Sequence, residues 1–287
     1  MEKTNPFKLP SGFGGPAPNA RSPVVLEPKD WKKTSKSFVT EEASVDSFIG
    51  NFAGGSMSIV MGPRNAGKST LASMLAFNGL KQGYKVAYVD IENKLNINRL
   101  LQMHAAWGKP FPASKLSQFR YALDREWSFG ELFSWVVDAL PLVPPDLLIF
   151  DALSSLVNDS ILTANKKAGE NYEIFSERYV LATRCRKLAV EKDVAVIIIA
   201  HEHPRVTINE DKSGLLIQSM DEYAAIGYQF GYQADTIVHL GYLKDGNRGM
   251  ALLKHPFKDT KPVTELLKLE DFMKYRINDR GLVGIGK

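Results

Sequence analysis

Near-continuous apolar runs of strand length recur along the chain at residues 57–61, 86–91, 147–150 and 194–200. Runs with no polar alternation are the pattern of strands buried on both faces, as in parallel sheets covered by helices. Between them lie stretches of helical period at 71–77, 95–106 and 131–140, broken at Gly79 and Gly83, at Trp107-Gly108-Lys109-Pro110 and at Pro144-Pro145. Strand and helix in alternation predict an α/β domain with a largely parallel central sheet flanked by helices. A further strand at 234–240 resumes the sheet, Asp245-Gly246-Asn247-Arg248-Gly249 predicts a hairpin turn into 250–254, and a last strand is expected over 263–269. Two stretches interrupt this rhythm, 158–171 and 202–232, and loops of such length inside a compact domain are usually functional or disordered.

The first 36 residues stand apart. They hold six of the fifteen prolines, little apolar periodicity, and seven Lys/Arg against three acids, which is the whole of the chain's net charge of +4. We therefore divide the 287 residues into a flexible basic, proline-rich arm (1–36) and one α/β domain (37–287), with no room for another domain after Gly286. The arm is either a solvated tail or a link that packs on a neighbouring subunit through Phe7 or Phe13, or that touches phosphates through its lysines. Because the body is neutral, bulk charge does not establish nucleic-acid binding, and local loops would have to provide it. The longest aliphatic run, 194–200, is too short to span a bilayer, and no signal sequence opens the chain, so a cytoplasmic protein with no membrane partner is expected. The single cysteine, Cys185, lies in a helical pattern and reads as a core residue in a reducing compartment.

Chemistry concentrates where strands end. After the first run comes Gly62-Pro63-Arg64-Asn65-Ala66-Gly67-Lys68-Ser69-Thr70, a complete G-x-x-x-x-G-K-[ST] phosphate loop between a strand and a helix. In such a loop glycines let successive N–H groups face one anion, Lys68 places a charge on the terminal phosphates, and Ser69 offers a hydroxyl to Mg²⁺. Residues 147–150 close on Asp151, the pattern of a Walker B acid facing the Mg²⁺ shell. The strand between these two ends in Asp90-Ile91-Glu92. Glu92 is placed to orient a water attacking the γ-phosphate, although two-residue alternation sets Asp90 on the same side and leaves the choice between them open. The run 194–200 ends in His201-Glu202-His203, where His201 reads as a γ-phosphate sensor, a structural histidine or half of a metal pair.

These parts in this order resemble the ATPase core of the RecA family, including the phage UvsX-type recombinases, over about residues 37–285. Tyr88-Val89-Asp90-Ile91-Glu92 resembles the strand carrying that family's catalytic glutamate, Asp151-Ala152-Leu153-Ser154-Ser155-Leu156 its Walker B segment, and His201 its phosphate-sensor position. The resemblance implies that ATP and Mg²⁺ are bound between self-associating subunits, in a filament or ring. It also implies that 158–171 (with Lys166 and Lys167) and 202–226 (with Arg205 and Lys212) are loops binding single-stranded DNA, and that Lys254 and Lys258 reach the neighbouring subunit's ATP. A DNA-dependent ATPase of recombinase type in bacterial cytoplasm, phage- or plasmid-encoded, is the expectation. The alternatives are a DnaB-type helicase motor, a non-catalytic ATP-binding mediator and, more remotely, a small-molecule kinase.

Overall fold

The computed structural model describes residues 36–92, 95, 97–106, 119–122, 129–156, 170–201, 208–210, 216–218, 228–243, 246–258 and 272–285. A small β1 (Ser37–Phe38), helix α1 (Ala43–Ile49) and β2 (Phe52–Ala53) lead into β3 (Met57–Gly62), every residue of which is buried. Then follow α2 (Lys68–Lys81), β4 (Val86–Asp90), α3 (Ile97–Ala106), β5 (Phe119–Ala122), α4 (Phe129–Ser134), β6 (Leu147–Asp151), α5 (Glu170–Lys192) and β7 (Ala195–His201). A short antiparallel pair, β8 (Ile208–Glu210) and β9 (Leu216–Gln218), precedes α6 (Tyr228–Gln233), and β10 (Thr236–Tyr242), β11 (Arg248–Lys254), β12 (Phe272–Asn278) and β13 (Gly281–Gly284) complete the order.

The main sheet has nine strands in the order β13-β12-β11-β10-β3-β7-β6-β4-β5. The pairings from β10 through β5 are all parallel, and those joining β10 to β11, β12 and β13 are antiparallel. The parallel strands bury both faces. Val60, Tyr88, Ile149, Ile197 and Ile199 pack with Val45 and Ile49 of α1 and Leu71 and Leu75 of α2. Ile59, Val89, Leu148, Phe150 and Ile198 pack on the other face with Leu132 of α4, Leu181 and Cys185 of α5 and Phe230 of α6. This two-sided burial is why the strands read as unbroken apolar runs. Among the described residues, no helix is long and apolar enough to cross a membrane.

Three expectations change. The strand expected to end on both acids stops at Asp90, and Glu92 lies in the turn beyond it. The helix expected over 131–140 is α4 followed by a π-helical turn, Trp135–Ala139. The stretch 202–232, read as strandless, contains β8, β9 and α6. The last strand expected at 263–269 lies outside the described residues, while β12 and β13 further on were not foreseen. In β12 only Phe272 and Tyr275 are buried, Lys274 and Arg276 interrupt the apolar pattern, and β13 passes from buried Gly281 and Leu282 to half-exposed Val283 and Gly284, so neither strand carries an unbroken apolar run. The arm up to residue 35 is also outside the described residues, and a compact unit spans Ser35–Lys287.

Candidate nucleotide site

Strand register brings the chemistry to one edge. Gly62 at the end of β3 pairs with His201 at the end of β7, and Asp90 of β4 pairs with Asp151 of β6. Because β7 lies between β3 and β6, the histidine stands between the phosphate loop and the acids. In open α/β sheets this carboxyl edge is where ligands bind.

The loop is built tightly enough to require its glycines. A Cβ on Gly62 would lie 1.9 Å from the Leu240 carbonyl oxygen, and Gly62 also has φ of +144°. Gly67, with φ of +103°, turns the chain into α2, and Asn65 adopts a left-handed φ of +62°. Lys68 is 4% exposed, and its Nζ donates to the carbonyl oxygens of Gly62 and Pro63, each at 2.7 Å. Its ammonium therefore lies along the inner wall of the loop.

Asp151 is buried, and the Tyr88 hydroxyl donates to its Oδ2 at 2.6 Å. Burial raises the Asp151 pKa above the usual carboxylate range and the charges of Asp90 and Glu92 add to the rise, while hydrogen bonds from Tyr88 and Ser69 oppose it. Burial and the neighbouring Asp151 also hold the Tyr88 hydroxyl well above its ordinary range, so it stays protonated as a donor. The Ser69 hydroxyl and the Asp151 carboxyl thus sit against each other, the donor set a Mg²⁺ ion uses when substrate phosphates supply the remaining ligands. Among the described residues, no group of three or more His, Cys, Asp or Glu side chains forms a metal cage, and His203, the other half of the His201 pair, lies outside the described residues.

The two candidate general bases separate. Asp90 is buried and accepts a hydrogen bond from Leu95 N at 2.6 Å. Glu92 Oε1 accepts from the Ser155 hydroxyl at 2.6 Å and lies 3.0 Å from His201 Nε2, while His201 N donates to the Ser154 hydroxyl at 2.8 Å. Glu92 is thus the acid in direct contact with His201.

Asp151→Asn tests the electrostatics. A carboxyl whose folded pKa is raised binds its proton more tightly folded than unfolded, so its ionisation weakens the fold as pH climbs above the unfolded carboxylate pKa of about 3.9. The variant is expected to melt about 2 °C or more above the wild type at pH 7 without Mg²⁺, with the gain shrinking on acidification towards pH 4. Thermal melts across that range check it, and an equal or lower melting temperature at pH 7 would contradict it.

The remaining predicted residues are not gathered here. Lys254 Nζ donates to the carbonyls of Gly231 and Tyr232 at 3.4 and 3.2 Å, at the end of α6. Lys258 Nζ donates to Ser47 and Phe48 at 2.7 and 2.6 Å, at the end of α1. Each is a helix C-terminal contact within its own chain, the favourable place for a cation. Lys166, Lys167, Arg205 and Lys212 lie outside the described residues. Cys185 is buried, its thiol pushed up to about 12 by burial, as befits a core residue. Sequence reasoning missed Tyr88, Ser154 and Ser155. For Tyr88 the signal was present, since a tyrosine inside a buried strand needs a partner for its hydroxyl, and the nearest acid-ended strand supplies one.

Fold and site together define a P-loop ATPase core with RecA-like architecture. Comparison with known proteins agrees. Residues 25–204 match the family described as AAA domain, AAA_25. DNA repair and recombination protein RadB of Thermococcus kodakarensis is 31% identical over 251 residues, covering 85% of this chain and 97% of that protein. RadB of Methanobrevibacter smithii is 26% identical over 222 residues, covering 75% and 86%. The crystal structure of the RadB recombinase matches with a TM-score of 0.63 over 87% of this chain and 100% of that one; at 24% identity this is a likeness of fold. The chain belongs to the AAA-domain family of P-loop ATPases and, within it, to the RecA-type proteins related to RadB.

Proposed function

We propose that the protein is an ATP-dependent recombinase of RecA/RadB type that binds single-stranded DNA in recombination and repair. The observation that carries this reading is the Glu92–His201 contact at the end of β7. It joins the residue that would orient the hydrolytic water to the strand that runs straight into 202–226, so the state of the γ-phosphate has a one-residue route to a candidate DNA loop. Lys68 and the loop backbone would hold the phosphates, Ser69 and Asp151 would hold Mg²⁺, and Glu92 would orient water. Mg²⁺, when bound, neutralises charge on the phosphoryl oxygens. Lys166, Lys167, Arg205 and Lys212 are the proposed DNA contacts. Lys254 and Lys258 would leave their helix ends to meet a neighbouring subunit's ATP. The named relatives are RadB proteins rather than phage recombinases, so the UvsX-type expectation gives way to a RadB-type reading.

A second reading, a mediator that binds ATP to control assembly and turns it over slowly, is favoured by one observation. Glu92 Oε1 is already engaged by both Ser155 and His201. Negative-stain electron microscopy with single-stranded DNA and a slowly hydrolysed ATP analogue, with Lys68→Ala as control, separates the readings. Helical filaments that vanish in the control are the expected result. Closed rings would point to a DnaB-type helicase motor, and isolated particles without DNA to the mediator.

A further inference from the structure

The unforeseen C-terminal strands reach the phosphate loop. Tyr242 of β10, Arg248 of β11 and Tyr275 of β12 are successive register partners across three strands, and the Arg248 guanidinium lies 5.7 Å from the centre of the Tyr242 ring. The Tyr275 hydroxyl donates to the carbonyl oxygen of Ala66, and the Tyr242 hydroxyl donates to that of Arg64 at 3.3 Å. Burial raises the Tyr275 pKa above its ordinary range, so this buried hydroxyl keeps its proton. From the same hairpin, Ile277 and Leu282 close on Gly67, where an added Cβ would lie 2.9 Å from Ile277 Cδ1.

In a trans peptide the C=O and the following N–H share a plane and point in opposite directions. Fixing the Ala66 carbonyl towards Tyr275 therefore turns the Gly67 N–H away from it, and fixing the Arg64 carbonyl towards Tyr242 does the same for Asn65. Lys68 holds the carbonyls of Gly62 and Pro63 in the same way, and Ala66 N folds back on Pro63 O at 3.4 Å. Among the described residues, neither Asn65 N nor Gly67 N donates to a backbone carbonyl. A run of N–H groups whose carbonyls are tied elsewhere is an anion cradle.

We infer that Tyr275 and Tyr242 are positioning residues for phosphate binding: their hydroxyls anchor alternate carbonyls of the loop so that the intervening N–H groups are aimed at the anion. This rests on residues 62–70 being the nucleotide-phosphate site. The two hydroxyls act through the loop and touch no ligand themselves. Their loss weakens every ligand that presents phosphates, whatever nucleoside it carries.

The test is calorimetric titration of the full chain with ADP and with pyrophosphate, for wild type, Tyr275→Phe and Tyr242→Phe. Loss of the buried Tyr275 bond is expected to weaken both ligands by about five- to tenfold, and loss of the longer, more exposed Tyr242 bond by about two- to threefold. In steady-state ATP hydrolysis the variants should raise KM and leave kcat near wild type, the split that marks loss of uniform binding and that a damaged fold does not produce. Tyr242→Phe keeps the inference testable if the buried variant fails to fold. Folded variants that bind both ligands as wild type does would overturn it. So would loss confined to ADP, since the hydroxyls would then serve the nucleoside. Wild-type protein that binds neither ligand would instead remove the phosphate-loop reading, and this inference with it.

Discussion

Lys68→Ala is expected to weaken ATP binding by a hundredfold or more. The ammonium is buried at the base of the loop, where two carbonyl oxygens 2.7 Å away already orient it. On nucleotide binding it would exchange one or both for phosphate oxygens. Hydrogen bonds to charged groups contribute about 1.5–3 kcal/mol each, so losing two amounts to at least about two orders of magnitude in affinity. The substitution also strips the Gly62 and Pro63 carbonyls of their donor, and a loop without that brace loses its shape as well as its charge. Calorimetry on protein shown to be folded by circular dichroism gives the answer, and an unchanged dissociation constant would remove the assignment of residues 62–70.

Glu92→Gln carries the second large effect and has the opposite signature. The amide oxygen of glutamine can still accept from Ser155 and from His201 Nε2, so the local structure and ATP affinity should survive. Basicity is what disappears. A general base contributes about a hundred- to ten-thousandfold, so single-turnover hydrolysis should fall at least a hundredfold while the dissociation constant for ATP stays put. Near-normal turnover would take the base role away from Glu92. Asp90 is poorly placed to inherit it, because it is buried and tied to the backbone at Leu95.

The contrast between these acids shows where sequence reading reached and where it stopped. Local chemistry was legible: the loop from Gly62 to Thr70, the strand closing on Asp151, and the histidine after 194–200 all lie where their patterns placed them. The choice between Asp90 and Glu92 was not legible. It depends on the strand stopping two residues early, and a turn that begins before the apolar pattern ends leaves no periodic trace. The C-terminal hairpin escaped for a related reason. Its charged residues face outward while Tyr275 and Leu282 are buried, and seven residues of that kind resemble an amphipathic surface segment of any type. Contacts between distant segments, such as Tyr275 with Ala66 or Tyr88 with Asp151, follow only once strand order is known. For Lys254 and Lys258 the family resemblance implied a contact with a neighbouring subunit's ATP, and within the chain they bond the carbonyls at two helix ends.

The position of β3 between β10 and β7 has a consequence for how the chain lives in a cell. The phosphate-loop strand is flanked by partners that follow it by well over a hundred residues, with Asp235 Oδ2 accepting from Met57 N across 178 positions of sequence. No early segment can therefore assemble the loop's surroundings alone, and a sheet so dominated by distant pairings folds slowly. A ligand that recognises only the finished edge then acts as a chaperone by mass action: nucleotide at a hundred times its dissociation constant adds about 2.7 kcal/mol to the native state. Resistance of this protein to unfolding and proteolysis would in that way track the nucleotide supply of the cell.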